Sequence, residues 1–167
     1  EVESLYQDIL INVTRFFRNP ETFTFLKERI FPHLFEHRSP DEPIRMWTLG
    51  CSTGEEAYSI AMSFAEFAGP QTEHIPVQIF ATDLDKDAAA AVAERITDAG
   101  GRAESAALDV SDRESADAAA AQAAAMTDGA LHIVINNAGV TKPAMFEKTS
   151  QEAFRLLFDI HVMGAFN

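Results

Sequence analysis

Apolar positions along the chain follow two periods, and the change from one to the other divides it. Residues 3–11 put Leu5, Ile9 and Leu10 on one side, which predicts a short helix. Phe23, Leu26 and Ile30 repeat at helical spacing and predict a second. Asn19 stands at its N-cap position, Pro20 at its first helical position and Glu21 in its first turn. Pro32 is predicted to kink or end that helix. "EHRSPDEP" is polar and turn-rich, a linker and a subdomain boundary.

Beyond the linker the pattern alternates. "IRMWTLG", "VQIFATD", "RAESAALDV" and "LHIVINNAG" read as strands, the last the strongest. Between and after them lie "EEAYSIAMSFAEFAG", closed by Gly69-Pro70, "KDAAAAVAERITDAGG", stopped by two glycines, an alanine-rich helix and "QEAFRLLFDIHVMGAFN". Ser111 to Glu114, and Thr149 with Glu152, have the capping-box pattern at the start of the last two helices. The alanine runs at 88–91 and 118–121 suit helices lying close to a sheet. Two helices followed by β-α-β-α-β-α-β-α imply parallel strands with right-handed crossovers. The predicted fold is α/β: an open Rossmann-like parallel sheet in the order 3-2-1-4, flanked by helices, with two N-terminal helices near the first glycine turn. The predicted division is an N-terminal helical segment over residues 1–42 and a Rossmann-like cofactor-binding domain over 43–167. The fourth strand is then an edge, and Phe154, Leu157, Phe158 and Val162 make the last helix apolar on several sides. Both features favour a homodimer.

A chain of 167 residues, 47% hydrophobic, suits one globular domain with a small appendage. Its net charge is -13. Residues 1–47 hold six Lys/Arg against eight Asp/Glu, and the rest seven against eighteen, so the acidity lies in the second part. Nucleic-acid binding needs a basic footprint, and none is visible. The single cysteine, Cys51, fits a reducing compartment. No apolar run approaches a membrane span, and "EVESLYQDIL" lacks signal-peptide regions, so the expected location is cytoplasmic. Asn12-Val13-Thr14 matches a glycosylation sequon by chance in such a setting.

"LGCSTGEEAYS" ends the first strand, where a doubly wound fold binds its ligand. Gly50 and Gly54 permit tight turns and close backbone approach. The turn is neither G-x-G-x-x-G nor a P-loop, and Glu55 and Glu56 repel phosphate and suit a cationic ligand. Alternatively the two glutamates only favour the helix N-terminus. Cys51 reads as a small turn residue, Phe16 and Phe17 as core or interface, and His33 with His37 as a surface pair with no third metal ligand.

"NVTRFFRNPETF", "RMWTLGCSTGEEAYSIAM" and "IFATDLD", in that order over about residues 4–85, resemble the chemotaxis-receptor methyltransferases of the CheR type. The resemblance implies S-adenosylmethionine against the glycine turn. Asn12, Thr14 and Arg18 would reach it from the helical segment. Gly50, Gly54 and Glu55 or Glu56 would line its amino-acid end, and Asp83 would hold the ribose hydroxyls. It also implies methyl transfer to a glutamate side chain of a chemoreceptor. A carboxylate is already a nucleophile, so positioning does most of that work.

From about residue 81 the chain is similar instead to the middle of a short-chain dehydrogenase/reductase, on "LDVSD" and, after the strong strand, "NNAG". That resemblance puts Asp109 and Val110 on the adenine and Asn136, Ala138 and Gly139 along a nicotinamide cofactor, NAD or NADP. Asp83 holds the ribose in both families, so a join there keeps the sheet and the contact. An acid after the third strand, Asp109, also meets the adenine amino group in methyltransferases of this fold. The dehydrogenase glycine turn T-G-x-x-x-G-x-G is replaced by "GCSTGEE", no Ser with Tyr-x-x-x-Lys follows "NNAG", and His161 stands where that family has Asn. His161 reads as a structural variant. The methyltransferase motif of the fourth strand, which shapes the acceptor pocket, is replaced by "NNAG". The whole therefore reads as a chimera or a truncated fusion that binds S-adenosylmethionine with impaired or no methyl transfer. The alternatives are an NAD-binding dehydrogenase-like domain and a scaffold that binds neither.

Overall fold

A computed structural model describes residues 14–36, 42–70, 75–126 and 130–167. The helix expected over 3–11 lies outside the described residues. Helix α1 begins as Pro20–Phe25, passes through a π-helical turn at Leu26–Ile30 and returns to α-helix over Phe31–Glu36. Asn19 is its N-cap by position, but its side chain makes no capping bond. Pro32 does not end the helix. A proline ring collides with the carbonyl four residues back in a regular α-helix. Here the preceding turn is widened, with the Phe31 N–H donating to the Leu26 carbonyl five residues back.

Four parallel strands follow: β1 Ile44–Leu49, β2 Val77–Asp83, β3 Arg102–Ala107 and β4 Ile133–Asn136. They are ordered β3-β2-β1-β4, the order read from the sequence. Every residue of β1 is buried, as a central strand requires. The Trp47 indole N–H donates to the Thr82 hydroxyl at 2.9 Å and ties β1 to β2 inside the core. β4 is shorter than its apolar run suggested, because the chain bends after Asn136, where the Asn137 N–H donates to the Ile135 carbonyl.

The helices are α2 Glu55–Ala68, α3 Lys86–Asp98 and α4 Arg113–Met126, then α5, which runs Gln151–Phe158, a π turn at Asp159–Met163 and Gly164–Phe166. On one sheet face Phe23 and Phe31 of α1 pack with Ile44, Met46, Ile60 and Phe64, and α2 with α3 covers Ile79 and Ala81. Phe31, Phe64 and Phe80 are fully buried, each contributing about 1.5–3 kcal/mol. On the other face Trp47, Leu49, Phe80 and Ala106 pack under α4 and Ile160 of α5. Ala89 and Ala119 are buried at those interfaces, as the alanine runs predicted, and so is Ala123 beyond the second run.

Both capping boxes shift by one residue. Asp112, not Ser111, caps α4, its carboxylate accepting from the Glu114 N–H, while the Ser111 hydroxyl donates to Asp109. Ser150, not Thr149, caps α5 through the Ala153 N–H, and Thr149 donates to the Met145 carbonyl. In each pair the adjacent residue reaches the helix N–H groups and the expected one serves the preceding turn. Phe16 and Phe17 are not core residues. Both are exposed, Phe16 stacking on Tyr58 and Phe17 meeting Phe23 edge-on. No helix among the described residues is long and apolar enough to cross a membrane.

Candidate functional site

Strand register decides what meets at the carboxyl ends. Leu49 pairs with Thr82 on one side and Asn136 on the other, and Asp83 pairs with Ala107. The residues just past those pairs therefore converge: Gly50 after β1, Asp83 ending β2, Asp109 after β3 and Asn137 after β4. They open onto a cleft of about 460 Å³. Of the residues singled out in the sequence, Thr14, Arg18, Gly50, Asp83, Asp109, Val110, Asn136, Ala138 and Gly139 line it. Gly54, Glu55 and Glu56 are not among its lining residues, and Asn12 lies outside the described residues. Ser52, Leu84, Leu108, Asn137, Val140, Thr141, Ile160 and His161 complete the wall. Ser52, Leu84 and Asn137 adjoin residues already singled out; nothing local in the sequence pointed to Ile160, which α5 brings from a distance.

Asp83 is anchored from two sides. Its Oδ2 accepts the Ser52 N–H at 2.8 Å and its Oδ1 the Asp85 N–H at 3.0 Å. Each oxygen keeps a second lone pair for a ligand hydroxyl. Ser52 has φ 49, a left-handed conformation rarely adopted by a side-chain-bearing residue, and the bond to Asp83 helps to hold it. Asp109 takes both the Ser111 N–H and the Ser111 hydroxyl on Oδ1, at 2.9 and 2.6 Å.

The two glycines are used internally. A Cβ on Gly50 would lie 2.5 Å from the Ala138 Cα, and one on Gly54 2.5 Å from the Tyr58 ring. The Asn137 amide also donates to the Gly50 carbonyl at 2.6 Å. The glycine turn and the "NNAG" turn, from two different resemblances, thus pack directly on one another.

At the start of α2, the Glu55 carboxylate accepts from the Thr14 hydroxyl at 3.0 Å and the Thr53 hydroxyl at 2.6 Å. Burial lifts the Glu55 carboxyl. The hydrogen bonds from Thr53, from its own N–H and from Thr14, with the charge of Arg95, outweigh that and hold it below its ordinary value. Burial pushes Glu56 up, partly offset by Arg18. The segment before α1 is fastened here too, the Phe17 N–H donating to the Ser59 hydroxyl. Burial, with the Asp83 charge, pushes the Cys51 thiol up to about 12, so it is protonated and no nucleophile at neutral pH. His161 Nε2 lies 2.8 Å from the Val140 carbonyl and 3.2 Å from the Val140 N–H, so either tautomer ties the ring to that peptide. Among the described residues no group of three or more His, Cys, Asp or Glu is placed to hold a metal.

An adenosine group fits this wall. Asp83 offers two carboxylate oxygens to a pair of hydroxyls, and Leu108, Val110 and Asp109 offer an apolar slot with an acceptor beside it. A dinucleotide also needs its diphosphate at a helix N-terminus. Here Glu55 stands in the first turn at that terminus, where its carboxylate opposes a diphosphate and not a cationic sulfonium.

Comparison with known proteins divides the chain in the same place. Residues 12–99 match the family described as CheR methyltransferase, SAM binding domain, and residues 74–167 match short chain dehydrogenase. The chemotaxis protein methyltransferase of Borreliella burgdorferi is 42% identical over 82 residues, 48% of this chain and 29% of that protein. An uncharacterized 104.1 kDa protein of Rhodobacter capsulatus is 40% identical over 85 residues, 51% of this chain and 9% of that protein. The chain thus spans less than a third of these curated relatives. Among solved structures, a gluconate 5-dehydrogenase from Burkholderia cenocepacia, in complex with NADP and tartrate, is 26% identical with a TM-score of 0.61, covering 75% of this chain and 46% of that one. A short chain dehydrogenase/reductase from Burkholderia phymatum, at 22% identity and a TM-score of 0.59, covers 77% of this chain and 42% of that one and shares the fold.

Proposed function

The chain belongs to two families, the CheR methyltransferases through residues 12–99 and the short chain dehydrogenases through residues 74–167, and from that premise we propose that its cleft binds S-adenosylmethionine. The observation that carries the reading is the charged Glu55 in the first turn of α2, which disfavours a diphosphate and tolerates a sulfonium. In this reading Asp83 takes the ribose hydroxyls, two donors to one carboxylate. Asp109 and Val110 face the adenine. Thr14 and Arg18, with Asn12 by its place in the sequence, take the amino-acid end. Gly54, Glu55 and Glu56 shape that end indirectly, Glu55 through Thr14 and Glu56 through Arg18. Asn136, Ala138 and Gly139 close the methyl side. The division into a segment 1–42 and a cofactor domain 43–167, methyltransferase-like to about residue 85, belongs to the same proposal.

When bound, S-adenosylmethionine supplies an electrophilic methyl group. The acceptor by family is a chemoreceptor glutamate, and its carboxylate needs no base from this chain. The acceptor side is dehydrogenase-like, so transfer is weak or absent. A cytoplasmic location and a homodimer are part of the reading.

The second reading is an NAD-binding domain, favoured by the likeness to dehydrogenase structures, one of them holding NADP. Titration calorimetry with S-adenosylmethionine, its demethylated product and NAD separates the two. Saturable heat with the adenosylmethionine pair and none with NAD is the expected result. Heat with NAD alone transfers the assignment to the second reading, and no heat with any of the three leaves a scaffold.

A further inference from the structure

We propose that a second site, at the other end of the sheet from the cleft, docks an acidic amphipathic helix of a partner protein. A groove of about 900 Å³ runs between α2 and α3. Its floor is apolar, with Ile75, Val77 and Ile79 from the segment leading into β2 and from β2 itself, and Ile96 from α3. Its walls include small residues, Ala61 and Ala65 on α2 and Ala99 and Gly100 past α3.

Among the described residues the groove carries no convergent set of polar side chains of the kind that orients a small molecule. A broad apolar trough suits the stripe of a helix laid into it, with anchors at three- and four-residue spacing. Met62 lies on the wall, 43% exposed, and its thioether adapts to different anchors.

Charge selects among helices. The chain carries 26 Asp/Glu against 13 Lys/Arg, yet among the described residues the lining of this groove contains Arg95 and Arg102 and no carboxylate. Arg95 sits in the last turn of α3, where its charge also reaches Glu55, and Arg102 opens β3. A helix with carboxylates beside its apolar stripe matches that rim, and a basic one is attracted to the rest of the surface instead.

Two fluorescein-labelled peptides of about four turns test this on the full chain, both with leucine at i, i+3/i+4 and i+7. One carries glutamate on both flanks and the other lysine. Fluorescence anisotropy is expected to show saturable binding of the glutamate peptide, with the lysine peptide at least about tenfold weaker. Arg102→Glu, at an exposed site, is expected to weaken the glutamate peptide at least about tenfold, and Met62→Glu to do the same. Calorimetry with S-adenosylmethionine is expected to be unchanged in both variants, which separates this site from the cleft. No saturable binding by the glutamate peptide, or binding that both substitutions leave intact, overturns the proposal. Concentration-dependent self-association that Met62→Glu abolishes also overturns it, by placing a second copy in the groove.

Discussion

Asp83 carries two tasks in one side chain. It fixes the backbone of Ser52 in the glycine turn, and it faces the cleft with lone pairs to spare. Replacing it with alanine is therefore expected to weaken S-adenosylmethionine by about 1.5–3 kcal/mol, the range for a hydrogen bond to a charged group. Calorimetry checks this, and unchanged affinity removes Asp83 from the site. Gly50 is a different case, since its role is steric. At φ 64, with the Ala138 Cα where its Cβ would be, it leaves no flexible atom to yield. Gly50→Ala is expected to lower unfolding free energy by more than about 2 kcal/mol in chemical denaturation. A loss within 0.5 kcal/mol, roughly the scatter of surface substitutions, contradicts the packing of the two turns. Asp83 was legible in the sequence because a carboxylate ending a second strand has a fixed place in the fold. The Gly50–Ala138 contact was not, because 88 residues of chain separate the two positions and only strand register joins them.

Helix α1 shows how an element overrides a local rule. Phe23 and Phe31 both reach the core, though eight residues overshoot two α-helical turns by about 80°. The wide turn before Pro32 takes up the extra residue and brings the two rings into phase. The sequence marked a disruption at Pro32, and core burial decided that it became a π turn instead of an end. At the start of α2 the consequence is a pH dependence. Glu55 has a lowered carboxyl value in the folded chain, so its contribution to stability is fully present above its ordinary value of 4.5 and is lost as pH falls through the lowered value. Glu55→Gln is expected to flatten the stability curve in that acid window and to leave its slope near neutral pH unchanged. Denaturation midpoints measured across the window check the sign; a steeper acid loss in the variant contradicts it.

At the scale of the molecule, two features leave apolar surface uncovered. Among the described residues β4 has a neighbouring strand on one side only, and Val134 on it is exposed. On α5, Phe154, Phe158, Val162 and Phe166 follow one another at four-residue steps, all exposed. Such a ridge packs well against a second helix. A net charge of -13 opposes association at low salt and is screened as salt rises. Sedimentation velocity is expected to show a dimer that strengthens with salt and is lost in Phe158→Glu. A monomer at every concentration and salt tested removes the homodimer from the proposed function.

The order of strands, the alanine faces of the helices and the families at either end were set by the sequence itself, because they rest on periodicity and on motifs a few residues long. The positions of both helix caps, the survival of α1 past Pro32 and the brevity of β4 were decided only when the chain folded, because each depends on what packs beside it. The cleft belongs to both levels. Its acids were visible as residues, but the exclusion of Glu55 and Glu56 from its wall, and the seating of one family's turn against the other's, follow from a register that brings distant strand ends to the same height.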